Sequence, residues 1–533
     1  MTRRPFSVRS SSKKSSSKSI LARAARHTPC VFEAVEARQL MSVALNNGVL
    51  TINGTAGNDK ATIQDLGNGK YRVMDNGKAS DFNKGSVQSV LANMGGGDDS
   101  FNAYGINRPM TILGGSGNDT LAGGRANDQI QGQDGNDVLN GYEGADVISG
   151  GNGIDEVQYF QHTGGVNVTL DGIANDGLYS STNAFQSVEF DNILPDVENV
   201  SGSIYNDFLF GNDQNNTLNG YYGNDFIDGG KGNDVLKGGY GNDTLQGNEG
   251  NDSMWGGLGD DLLNGGAGID DVRYDEIDHT SGVTAVLPNG GEYAISSGNG
   301  SYGENDRIRG NVENLVGSYY NDFLYGNSNA NGISGMNGDD FISGGAGNDW
   351  INGNTGNDTL YGDGGDDVLW GEHGSDKMSG GAGWDTVRYD DSYHNSIGVG
   401  VNARLSMWYD TNKGGNGHYG ENDYIYDDVE GLVGTKYGDI LSGNFYNNYI
   451  AGLEGDDFIY GGAGNDTLDG GAGADWLYGE AGDDLLLGKD GSTSDHLDGG
   501  DGWDTIERDR SNILILIGGK FATDTYSNGE VIR

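Results

Sequence analysis

A period of nine residues governs this chain. Aspartates fall at Asp119, Asp128, Asp137, Asp146 and Asp155, each closing a glycine-rich run such as Gly114-Gly115-Ser116-Gly117-Asn118-Asp119. Two residues after each comes an aliphatic: Leu121, Ile130, Leu139, Ile148 and Val157. The spacing returns in three later blocks. These carry Asp225, Asp234, Asp243, Asp252, Asp261 and Asp270; then Asp340, Asp349, Asp358, Asp367, Asp376 and Asp385; then Asp457, Asp466, Asp475, Asp484, Asp495 and Asp504. A short fixed period dictates a stacked architecture in which each unit buries its apolar side against its neighbours.

Each position in the nine has a physical use. Glycines permit φ > 0 and let carbonyl oxygens turn toward a common centre. The aspartate adds a hard, charged oxygen. Six to eight carboxylate and carbonyl oxygens at loose geometry are what a calcium ion takes. The last three residues suit a short strand whose middle side chain points inward. In the second block the inward residues are Leu209, Leu218, Ile227, Leu236, Leu245, Met254, Leu263 and Val272, none of them polar. All the aspartates named above are therefore candidate Ca2+ ligands.

These residues resemble the RTX (repeats-in-toxin) family, whose nonapeptide is G-G-x-G-x-D-x-U-x. Gly229-Gly230-Lys231-Gly232-Asn233-Asp234-Val235-Leu236 and Gly461-Gly462-Ala463-Gly464-Asn465-Asp466-Thr467-Leu468 fit it, and the resemblance covers most of the chain from Asn53 onward. It implies a parallel β-roll with two nonapeptides per turn and calcium between loops stacked on one side. Asp234 would then pair with Asp252, and Asp243 with Asp261.

Composition points the same way. The chain has 79 acidic against 31 basic residues, a formal charge of -48 and 98 glycines. Self-repulsion opposes compaction of such a chain, and its apolar content is low. A divalent ion at each loop pair would remove that obstacle, so folding is expected to be coupled to calcium. The acidity excludes a nucleic-acid partner, because phosphates would be repelled. The sole cysteine, Cys30, leaves no disulfide framework. The longest apolar run, Ile513 to Ile517, is far short of the roughly 18 residues of a membrane span.

The expected class is all-β: tandem parallel β-roll blocks separated by β-rich spacers. Residues 1–45 form a basic leader. Within it Val35-Glu36-Ala37-Arg38-Gln39-Leu40-Met41-Ser42 resembles the L-E-P-R-x-L-L-S sorting motif of planctomycete surface proteins, with Ala37 in place of proline. Residues 46–112 read as an N-terminal β unit with degenerate loops at Gly54 to Asp59 and Gly95 to Asp99. The blocks span 113–158, 202–273, 317–388 and 434–508. The spacers span 159–201, 274–316 and 389–433, and the tail 509–533. Asp155, Asp270 and Asp385 lie 115 residues apart, and the spacers repeat their own motifs: Val312-Glu313-Asn314-Leu315-Val316-Gly317 matches Val429-Glu430-Gly431-Leu432-Val433-Gly434.

Some loops depart from the pattern. Tyr205, Tyr320 and Tyr437 replace a glycine, and Asn216, Asn331 and Asn448 replace the aspartate, so weak or empty sites are expected there. Ala126 replaces another glycine, and two extra residues between Gly488 and Asp495 should bulge one loop. About six good loops per long block give roughly 15 to 20 calcium ions at saturation.

No catalytic motif stands out: neither a zinc-protease helix, nor a nucleophile elbow, nor a phosphate loop. The pairs Asp260-Asp261, Asp339-Asp340, Asp366-Asp367 and Asp456-Asp457 fall at loop positions five and six, where only the second is the ligand. His162, His279 and His394 recur at similar places and read as structural. The tryptophans face outward, covering strands or meeting a sugar. The expected protein is no enzyme but a secreted, extracellular or cell-surface calcium-binding structural protein. Its alternatives are an adhesin or matrix protein whose partner is a cell-surface polysaccharide or another surface protein and, third, an exported calcium-dependent enzyme.

Overall fold

The computed structural model describes residues 41–180, 183–187, 189–276, 280–290, 293–295, 305–406, 417, 421–488 and 495–508. Residues 1–40 of the expected leader, His279, the insertion at 489–494 and the residues from 509 lie outside the described residues.

The protein is a parallel β-solenoid. Each nonapeptide yields one short strand, because three residues of β character are bounded by glycine-rich loops. Each strand pairs in parallel with the strand two nonapeptides away. Leu236 faces Leu218 on one side and Met254 on the other, while Leu245 faces Ile227 and Leu263. Two nonapeptides therefore make one turn, one on each face. Alternation along each strand sends every second side chain inward. The inward residues of the second block, Leu209 to Val272, all have 0% exposure.

The two faces differ. One is a single 22-stranded sheet running from the antiparallel strands Lys60–Asp65, Lys70–Asp75 and Lys78–Asn83 to Thr505–Arg508. Among the described residues no pairing joins its two ends, so it is an open ladder and not a barrel. The other face is broken into separate sheets of seven, nine, six and five strands. The breaks fall at the spacers. In the first, Asn192–Ile193 closes one sheet against Val147–Asn152, and Val166–Thr169 opens the next against Phe208–Phe210. The continuous face passes straight through: Glu156–Gln158 pairs with Asn199–Ser201, which pairs with Thr217–Tyr222. Asp271–Arg273 with Asn314–Val316, and Thr386–Arg388 with Gly431–Val433, repeat this step.

The third spacer contains an α-helix, Ser392–Ile397, in a stretch without helical periodicity. Its ends explain it. The Asp391 carboxylate accepts the His394 N–H at the start, and Gly398 in the left-handed region closes the end.

Outward aromatics pair across strands. Phe458 and Trp476 stack at 4.5 Å, and Tyr460 and Tyr478 at 5.0 Å. Trp255 donates its indole N–H to Asp275 and carries Lys237 and Arg273 on its ring. Those ring faces are used within the protein. Trp350 and Trp503 remain 65% and 69% exposed.

Candidate metal-binding loop lattice

Counting the first glycine of a nonapeptide as position one, the aspartate is position six. Every aspartate expected from the sequence to be a ligand uses its Oδ1 in the same way. It accepts a backbone N–H from the preceding turn, in most cases that of the residue eighteen positions earlier. The Asp225 N–H donates to Asp243, Asp234 to Asp252 and Asp243 to Asp261, at 2.7–2.8 Å. Asp119, Asp137 and Asp155 form such a row in the first block, with Asp128 and Asp146 in the row beside it. Asp252 and Asp270 extend the second block. Asp340, Asp358 and Asp376 alternate with Asp349, Asp367 and Asp385 in the third. Asp457 and Asp475 alternate with Asp466 and Asp484 in the fourth. The rows then reach Asp495 and Asp504 at a separation of 20, which absorbs the two extra residues.

The second carboxylate oxygen divides the loops into two kinds. In Asp119, Asp137, Asp155, Asp234, Asp243 and Asp252 the Oδ2 atom is buried without a hydrogen-bond partner. Position one explains what surrounds it. A Cβ on Gly238 would overlap both Asp243 Oδ2 and the carbonyl oxygen of Gly256, one turn on; Gly132, Gly220 and Gly247 repeat that arrangement. A carboxylate oxygen and a backbone carbonyl thus converge on a spot that only glycine leaves open.

In the other kind, Oδ2 is filled by the protein itself. The position-two N–H of Ser203, Ser318 and Thr435 donates to Asp207, Asp322 and Asp439 at 2.6–2.7 Å. Gly124 does the same for Asp128, and Thr55 for Asp59. The Asn216, Asn331 and Asn448 amide oxygens are capped likewise, while their amide nitrogens donate to the carbonyls of Glu198, Glu313 and Glu430. A carboxylate could not donate there, which accounts for asparagine at these three rungs.

The two kinds are separated by one dihedral. Position two has φ > 0 in every described loop holding an expected ligand except that of Asp128. Where it is not glycine the fold still imposes it, as at Gln133 (φ 84), Tyr221 (φ 73) and Leu453 (φ 80). In the capped loops position two is not in that region. Positive φ turns the N–H away from Oδ2.

The rows also recruit acids that the period does not reveal. Asp59 and Asp99 begin one row. In the spacers, Asp191, Asp306 and Asp423 accept the N–H of Asp146, Asp261 and Asp376. Glu198, Glu313 and Glu430 accept that of Asp155, Asp270 and Asp385. Two spacer histidines pair with other spacer acids: His162 is 3.1 Å from Glu189, and His394 bridges Asp391 and Glu421. Tyr274 and Tyr389 donate to Asp306 and Asp423.

Electrostatics follow from burial. Desolvation, then the charges of Asp207 and Asp243, push Asp225 up to about 9. Asp146, Asp358 and Asp457 are pushed to about 8, again chiefly by desolvation. Burial thus favours the protonated form of these carboxylates. Among the described residues no three His, Cys, Asp or Glu side chains form a metal-holding group. Each loop instead offers a carboxylate oxygen beside backbone carbonyls, a donor set that suits a hard cation. The adjacent carboxylates at position five are occupied structurally: Asp260, Asp339, Asp366 and Asp456 accept N–H groups of Asn305, Asn357, Trp384 and Ala474.

A solenoid of nine-residue repeats, two to a turn, with inward aliphatics and rows of buried loop aspartates defines a repeat protein whose loops suit a hard cation. The profile of the RTX calcium-binding nonapeptide repeat matches residues 111–130, 123–157, 201–236, 237–272, 309–342, 325–360, 334–369, 352–387, 433–468 and 460–494. These blocks belong to that family, and the chain is an RTX-repeat protein. No curated protein matches it in sequence. Among the described residues no helix is long and apolar enough to cross a membrane.

Proposed function

We propose that the protein is a secreted or cell-surface structural protein that folds when it meets extracellular calcium. The observation that carries this reading is the buried, unanswered Oδ2 of Asp119, Asp137, Asp243 and Asp252, set beside glycine carbonyls. Leaving charged oxygens so desolvated is costly unless a cation answers them. The expected ligands other than Asp128 hold the ions, each shared between successive turns of one row. The capped loops of Asp128, Asp207, Asp322 and Asp439 take none.

Circular dichroism and small-angle scattering of the full chain, titrated with calcium after chelation, test this. Compaction with a gain of β signal is the expected result. A chain equally compact and equally β-rich in chelator would overturn it.

A second reading, an adhesin, is favoured by one observation. The residue before the last block aspartate is apolar and exposed in all four blocks: Ile154, Ile269, Trp384 and Trp503. Binding of the calcium-loaded protein to a glycan array supports that reading, and no binding removes it.

A further inference from the structure

The spacers lie at the joints of the cation rows, and each joint repeats one unusual arrangement. Asp155, Asp270 and Asp385 end the row of their block, fully buried, with Oδ2 lacking a hydrogen-bond partner. The next residues in the row come from the spacers, in the segments Asp196-Val197-Glu198, Asn311-Val312-Glu313 and Asp428-Val429-Glu430.

In each segment the glutamate takes the role of a loop aspartate and accepts the N–H of the preceding row residue at 2.9–3.0 Å. The residue two places before it is fixed from the other side. Asp196 and Asp428 each accept a hydroxyl hydrogen bond on Oδ2, from Ser149 and Ser379 at 2.6 Å. Asn311 donates its amide to Asn264, which occupies the corresponding position. In all three the remaining oxygen, Oδ1, is buried without a partner. At the first joint the Asp196 carbonyl oxygen stands beside Asp155 Oδ2, around the point where a Cβ on Gly150 would sit. That is the loop arrangement, with Asp196 in place of the next turn's glycine.

Every joint thus presents two buried oxygens that can only accept. Among the described residues, neither these carboxylates nor the adjacent Glu198, Glu313 and Glu430 form an ion pair with Lys, Arg or His. We propose that each module joint is a further cation site, in which Asp155 with Asp196, Asp270 with Asn311, and Asp385 with Asp428 hold one hard divalent ion of calcium's class. Side-chain oxygens from the spacer supplement the backbone carbonyls available in the loops. The spacers then carry cation binding across the joint. This proposal rests on the calcium-folding reading above.

Calcium bound per full-length chain, measured by native mass spectrometry and elemental analysis, tests it. Asp196→Ala, Asn311→Ala and Asp428→Ala, singly and together, are each expected to lose one ion per altered joint while keeping their β signal. Asp196→Asn, which copies the second joint, is expected to keep its ion. Unchanged stoichiometry in all the alanine variants overturns the proposal, and so does loss of the ion in Asp196→Asn together with retention in Asn311→Ala. If the combined variant does not fold, the single variants decide. A wild-type chain that binds no calcium fails the underlying reading instead, so the two failures are distinct.

Discussion

The backbone N–H of Asp234 donates to Oδ1 of Asp252 at 2.8 Å, one full turn along the solenoid. Each uncapped loop aspartate therefore has a divided duty. One oxygen fixes the turn before it, and the other faces the proposed ion site. On the calcium reading, closing a turn and building a site are one event.

Replacing Asp243 with alanine leaves the Asp225 N–H without its acceptor and removes one Oδ2. An unsatisfied buried group costs about 1–3 kcal/mol. Solenoid units interact chiefly with neighbours, so the damage stays local. Hydrogen exchange in calcium should accelerate around residues 225–261 and be unchanged in the blocks ending at Asp385 and Asp504. Uniform acceleration would refute this locality.

Gly238→Ala attacks the same loop without touching a carboxylate. The new methyl would overlap Asp243 Oδ2 and the Gly256 carbonyl, whereas Gly57 has nothing within 4 Å of an added Cβ. Calcium stoichiometry should fall for Gly238→Ala and stay at the wild-type value for Gly57→Ala.

Leu245 is at 0% exposure between Ile227 and Leu263. Leu245→Asp puts an unpaired charge into the narrow core, at a cost of several kcal/mol. Its melting temperature in saturating calcium should drop further than that of Asp243→Ala.

The pH response has a definite sign. Asp225 rises from its ordinary 3.8 to about 9, and Asp146, Asp358 and Asp457 to about 8, all mainly through desolvation. The folded, cation-free state therefore holds more protons than the unfolded one. Its stability declines as pH rises from the unfolded value through the folded values. In chelator, β signal should be greater at pH 5 than at pH 9. Apparent calcium affinity should climb over the same range, with protons released on binding. A pH-independent affinity would contradict the assignment.

Ser203 caps Asp207 through its N–H, and its hydroxyl also accepts the Tyr205 N–H. Ser203→Gly with Tyr205→Gly restores the loop consensus and frees position two to take positive φ. The double variant is expected to gain one ion by native mass spectrometry. No gain would show that the capping of Asp207 is dictated by the adjoining spacer.

The repeat made most of this legible. Position-six aspartates and position-eight aliphatics survive in register, and the two-repeat turn that the RTX resemblance implies then pairs Asp234 with Asp252 and Asp243 with Asp261. The spacer acids were hidden because 43 to 47 residues separate Asp155 from Glu198 and Asp376 from Asp423, with no period between them. Capping was hidden for another reason. It depends on φ at position two, and the fold forces Leu453 and Tyr221 into a region that their side chains disfavour. Asp59 and Asp99 did carry a signal, since each closes a short glycine-containing run.

The uninterrupted face has a genetic consequence. Glu156–Gln158 hands over to Asn199–Ser201 as Asp271–Arg273 does to Asn314–Val316 and Thr386–Arg388 to Gly431–Val433. Every module ends on the same docking edge with which the next begins. Recombination between equivalent joints would add or delete one whole module and leave a sheet in phase, so the length of this protein is free to change without a new fold being invented.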